Sequence, residues 1–226
     1  MPGEYLAFSP EPELVKEAYT VPEIANIRKS ERWSALNNTE ASFLIGYIVQ
    51  DSVIALDSVR YNAKWHHTMI KNPKGVSLER INPNMPSQSP SSWHSAASEV
   101  RYGTPGYKNS QYRDLETTVE PEKWIWVEPE AFSPDNDGID DVCFIRYKTD
   151  AAGYTANIII FNSVGVKVKQ LGSNILLSQD GILTWDGKTD RGQNVNPGIY
   201  VLYVEFVNSD KGVKKIEKIP LVVSAR

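Results

Sequence analysis

Four aspartates fall within seven residues of one another in Asp135-Asn136-Asp137-Gly138-Ile139-Asp140-Asp141. Hard oxygen donors clustered at such spacing can converge on one calcium ion, and Gly138 permits the sharp turn that convergence needs. The order of ligands is not that of an EF-hand, whose glycine follows three ligands and whose loop closes on a distant glutamate. The same residues also suit a tight turn in which aspartate side chains accept hydrogen bonds from nearby backbone N–H groups. Both readings stand on the sequence. Asp135, Asp137, Asp140 and Asp141 are therefore the metal candidates, and structural calcium is the cofactor to consider. Such an ion would staple a loop and would not catalyse.

Other residue types with chemical reach are arranged less suggestively. The histidines are His66, His67 and His94. A zinc site takes three or four ligands, and adjacent residues on a strand point to opposite faces, so packing and hydrogen bonding are expected of them. No Gly-x-Ser-x-Gly elbow, phosphate-binding loop, dinucleotide fingerprint or His-Glu-x-x-His is present. No acidic pair is singled out as a glycosidase couple, so no enzyme is expected. Cys143 is the one cysteine, which excludes an intramolecular disulfide. Its place in Val142-Cys143-Phe144-Ile145 marks a buried side chain. Trp124 and Trp126 are two apart on an expected strand and so share a face. They could stack on sugar rings, or pack in a core or domain interface. Asn37-Asn38-Thr39 is an N-glycosylation sequon.

The elements that must carry these residues are short strands. Hydrophobic residues make up 41% and charged residues 23% of the 226, with a net charge of −4. That balance is ordinary for a globular protein and gives no electrostatic reason for nucleic acid as a partner. No apolar run approaches the length of a membrane span. The first residues hold neither a basic nor an apolar leader region, from which we expect the chain to be the tail of a longer protein. One short helix is expected over 11–19. Strands are expected over 4–8, 41–49, 53–61 and 76–81, with a Pro- and Ser-rich stretch at 82–92 that excludes a central strand. The polar stretch 110–122 reads as a linker. Beyond it come strands at 124–127, 142–147, 155–161, 166–171, 182–185, 199–207 and 213–223. Turns at 162–165 and 208–212 are rich in Asn, Asp and Gly, which tolerate positive φ. About seven short strands in a hundred residues is the count of an Ig-like sandwich.

The second half carries three marks in a fixed order. They are Phe132-Ser133-Pro134-Asp135 with its aspartate loop, Leu183-Thr184-Trp185-Asp186-Gly187-Lys188, and Asn196-Pro197-Gly198-Ile199-Tyr200-Val201. This resembles the C-terminal modules of secreted bacterial surface proteins: the gliding-motility-associated and FlgD-like Ig families, sorting domains of the type IX secretion kind. The first half holds Gly75-Val76-Ser77-Leu78-Glu79-Arg80-Ile81, Trp93-His94-Ser95-Ala96-Ala97 and Gly103-Thr104-Pro105-Gly106-Tyr107-Lys108-Asn109. This resembles the closing portion of a bacterial lamin-tail-type domain, without that family's early strands.

The resemblances imply an all-β chain of two Ig-like β-sandwiches in tandem. The first (1–109) would be partial, 110–122 the linker, and 123–226 the second. They further imply a secreted or outer-surface protein of a Gram-negative bacterium. Its C-terminal domain would serve export or anchoring, with that machinery as partner, and its first domain would be a spacer or bind another surface protein or polysaccharide. The alternatives are accessory modules of a larger secreted hydrolase or nuclease, or a carbohydrate-binding module. Asp51-Ser52-Val53 and Asp57-Ser58-Val59 resemble the O-glycosylation triplet of such exported proteins, which makes Ser52 and Ser58 the candidate acceptors.

Overall fold

A computed structural model of the chain describes residues 3–23, 25–31, 36–114, 123–135 and 137–225. The chain divides into two compact units, 1–117 and 118–226. Nearly all regular structure is β, in keeping with the expected fold class.

In the first unit, strands β1 (Ala7–Ser9) and β2 (Ile27–Lys29) pair in parallel, with helix α1 (Pro12–Ala18) between them in the chain. Strands β3 (Glu40–Val49) and β4 (Ser52–Asn62) form a long antiparallel hairpin. Its turn residues Gln50 and Asp51 both have positive φ, the backbone of a two-residue hairpin turn that matches strand twist. Strands β5 (Leu78–Arg80) and β6 (Trp93–Ser95) form a third small sheet. Residues 110–113, expected in the linker, belong to this unit instead. Gln111 is fully buried, and the Arg113 N–H donates to the Ile81 carbonyl at 2.8 Å.

The second unit is a two-sheet sandwich. Strands β7 (Ile125–Glu128), β8 (Ala131–Phe132), β9 (Cys143–Lys148), β10 (Thr155–Asn162), β11 (Lys167–Leu176), β12 (Asp180–Trp185), β13 (Gly198–Asn208) and β14 (Val213–Val223) build it. One sheet runs β11-β10-β13-β14-β8 and the other β12-β9-β7. The alternating pattern explains why these segments face each other. Tyr200, Leu202, Val204 and Phe206 of β13 are buried, as are Cys143, Ile145 and Tyr147 of β9. Together they form one apolar core. Two aromatic groups anchor it: Trp185 lies edge-on to Phe132 and Tyr200, both 5.4 Å away, and Trp124 to Tyr154 and Phe206 at 5.1 and 5.5 Å.

The edges of the larger sheet are blunted. Pairing of β11 with β10 shifts register three times, and bulges of that kind disrupt the row of groups a further strand would need. The other edge, β8, is two residues long and meets β14 only at Val222 and Val223. Pro220 is placed before that stretch, where β14 has β13 alone beside it and no outer donor is required.

Candidate functional site

The aspartate loop links β8 to β9. Asp135, Asp137 and Asp141 each bring a carboxylate oxygen within 4.8 Å of the others. Asp140 does not join them. It sits at φ +52 and contributes its carbonyl, which accepts from the Ser133 N–H at 2.9 Å and closes the loop. The three clustered side chains are already acceptors. Asp135 takes the Asp137 N–H at 3.1 Å and the Ser133 hydroxyl at 3.1 Å. Asp137 takes the Ile139 N–H, and Asp141 the Gly138 N–H, each at 2.8 Å. Asn136 lies outside the described residues. The donor set suits a hard cation, while the hydrogen bonds are those of aspartate-held turns.

Strand β7 separates the two tryptophans. Ile125 and Val127 point into the core, so Trp126 faces outward, half-buried, its Nε1–H donating to Glu128 Oε1 at 3.3 Å. Trp124 precedes the strand and turns inward, where it is 3% exposed. Its ring packs on Tyr154 and Phe206, with Lys215 Nζ 4.3 Å from the ring centroid. A ring so covered offers no face to a sugar. The expectation of a shared platform fails at Trp124 because the residue before a strand need not keep the strand's alternation.

Ser52 and Ser58 are both exposed on β4. Ser52 follows the hairpin turn, and Ser58 Oγ accepts from Gln88 Nε2 at 3.1 Å. The neighbouring Asp57 is tied to Ser87, Ser58 and Arg80. The Ser87 hydroxyl, more than the Arg80 guanidinium, holds its carboxyl below the usual range.

The histidines pack inside the first unit. His66 Nδ1 lies 3.0 Å from Ser95 Oγ, which accepts the His67 N–H at 2.9 Å. His67 Nδ1 accepts from the Met69 N–H, and the His67 and His94 rings are 5.5 Å apart. Burial lowers the pKa of His66. Ser95 is fully buried and has no access to a substrate. Cys143 is also fully buried, and burial pushes its thiol up to about 11, the behaviour of an inert core cysteine.

One feature had no signal in the sequence. Glu79, between Leu78 and Arg80 on β5, is 3% exposed. Its carboxylate accepts the Thr104 hydroxyl, the Ser110 hydroxyl at 2.7 Å and the Gln111 N–H at 3.0 Å. Burial raises its pKa in spite of those bonds. The partners lie more than twenty residues downstream, so no local pattern announces them.

The geometry defines two units, the second a β-sandwich with a closed apolar core and protected edges. Residues 127–219 match the CHU_C Type IX secretion signal domain. The match lies wholly within the second unit and supports a secretion signal there, and with it a secreted or outer-surface bacterial protein. Among solved structures, the chain is similar to PorZ, described as an essential bacterial surface component of the type-IX secretion system of Porphyromonas gingivalis. The likeness has 18% identity and a TM-score of 0.29, and covers 44% of this chain and 11% of that one. No curated protein matches the chain significantly.

Proposed function

We propose that the second unit is the export and anchoring signal of a type IX-secreted, Gram-negative surface protein, and that the first unit is a spacer or binding module ahead of it. The observation that carries this is the match of residues 127–219 to the type IX secretion signal family, which takes in β8 to β13 whole, with half of β7 and most of β14. A signal of this kind acts by being recognised, so its surface must be rigid. The aromatic-anchored core supplies that rigidity. Its partner is the secretion or anchoring machinery, and the reading requires no catalysis.

The test is to fuse residues 118–226 to a periplasm-targeted fluorescent reporter in a bacterium with a working type IX system. Reporter at the cell surface or in the medium, and retained in the periplasm when the system is disabled, is the expected result. Reporter that stays periplasmic in both strains would sink the proposal.

A further inference from the structure

A cavity of about 390 Å³ opens in the first unit, within the 300–1,000 Å³ range of small-molecule sites. Tyr19, Phe43, Tyr61 and Trp93 give it aromatic walls, with His66, Asn38 and Ser77 among its polar lining. Among the described residues, no Asp, Glu, Lys or Arg lines it. A second cavity of about 260 Å³ shares Tyr19, Ser77, Leu78 and Trp93 with the first, so the two are contiguous. Of the charged residues of the second, Glu79 is held by three donors and Arg80 Nη1 by Asp57 at 2.7 Å, while Arg80 Nε is buried without an acceptor among the described residues.

The walls are held in place. Tyr19 lies against the backbone of Gly103, where an added Cβ would come within 2.5 Å of the Tyr19 ring. Its hydroxyl reaches the Gly75 carbonyl at 3.3 Å. Trp93 Nε1–H donates to the Ser87 carbonyl at 2.8 Å, which fixes the indole. The polar groups are differently placed. His66 Nδ1 is used by Ser95, which leaves Nε2 as the ring nitrogen available to a ligand. The Asn38 amide and Ser77 hydroxyl have no side-chain partner among the described residues.

We infer that this cavity binds a neutral saccharide, one or two pyranose rings in size. A sugar combines an apolar C–H face, which stacks on aromatic rings, with hydroxyls that pair with an amide, an imidazole nitrogen and a hydroxyl. In the larger cavity a charged ligand would meet no opposite charge among the described lining residues and would lose its hydration without return. A purely apolar guest would cover the Asn38 amide, the Ser77 hydroxyl and His66 Nε2 without giving them partners. The inference concerns the first unit and stands or falls separately from the export reading of the second.

The test titrates the 226-residue chain with glucose, galactose, mannose, N-acetylglucosamine and their β-linked disaccharides, reading tryptophan fluorescence and heat. Sialic acid and a sulfated sugar form the charged arm. Expected is saturable binding of at least one neutral sugar, with both charged sugars weaker by about tenfold or more. Tyr19→Ala should weaken binding about tenfold. Asn38→Ala, an exposed position whose change leaves the fold intact, should weaken it severalfold, which keeps the test decisive if the tyrosine variant does not fold. No binding by any neutral sugar, equal binding by charged ones, binding unchanged in Asn38→Ala, or loss of binding in Trp126→Ala instead would each overturn the inference.

Discussion

Burying the Glu79 carboxylate ties β5 to the segments around Thr104 and Ser110 with three accepted hydrogen bonds. Its pKa is nonetheless raised, because burial outweighs those donors. The sign of the pH effect follows. A group whose folded pKa lies above its unfolded value contributes stability that is fully present below the unfolded value and is lost as pH rises through the folded one. The first unit should therefore lose stability on going from the ordinary glutamate range upward through the raised folded value. Glu79→Gln should remove that part of the dependence, and thermal melts of the two proteins across pH 4 to 8 would show it; parallel curves would contradict the assignment. In the aspartate loop, each clustered carboxylate already serves a backbone N–H. Melting of the second unit is accordingly expected to be the same in millimolar calcium and in chelator, and a clear rise with calcium would assign the loop an ion. Asp141→Ala, which strands the Gly138 N–H, should cost about 1 kcal/mol in either buffer.

At the scale of the strand, burial separates residues only a few positions apart. Leu202 is fully buried at the centre of β13, while Ile199 on the same strand is 59% exposed. Leu202→Ala should cost about 2–5 kcal/mol in urea unfolding, whereas Ile199→Thr should stay within roughly 0.5 kcal/mol. A similar loss for both would mean that the sandwich core is not where the alternation puts it. This alternation was legible beforehand. The long strands of the second unit, and the turns at Asn162 and Asn208, were read from period-two burial and turn chemistry. Strands β2, β6 and β8 were not, since two or three residues are too few to show a period and they form only because a neighbouring strand presents its edge. Trp124 was misplaced for a related reason, as it stands just outside the strand whose parity was applied to it. The aspartate cluster was legible in its residue types, but the exclusion of Asp140 depends on a positive φ that no spacing reveals.

For the whole molecule the decisive contrast is between two units of similar length with unequal cores. Trp185, Phe132, Tyr147 and Phe206 are buried together in the second, while among the described residues of the first the buried hydrophobic ones are Val59, Ala96 and Ala97. The β3–β4 hairpin instead displays Phe43, Leu44, Ile45, Tyr47, Ile48, Val49, Val53, Ile54 and Leu56, from 41% to 74% exposed. Because neighbours alternate across the ribbon, these side chains lie on both of its faces. Two-stranded ribbons are marginal in water without a covering layer, and an uncharged apolar strand edge is an invitation to pair with another chain. Residues 118–226 should consequently unfold alone in one cooperative step with the melting temperature they have in the full chain, because their core is complete without the first unit. Residues 1–117 alone should self-associate at micromolar concentration, and Ile48→Lys with Leu56→Lys should shift them toward monomer by placing charge on the exposed ribbon. Sedimentation velocity measures both. A sharp monomer of unmodified 1–117 would show that the ribbon is stable uncovered, and a second unit that melts lower in isolation would show that its core is not self-sufficient.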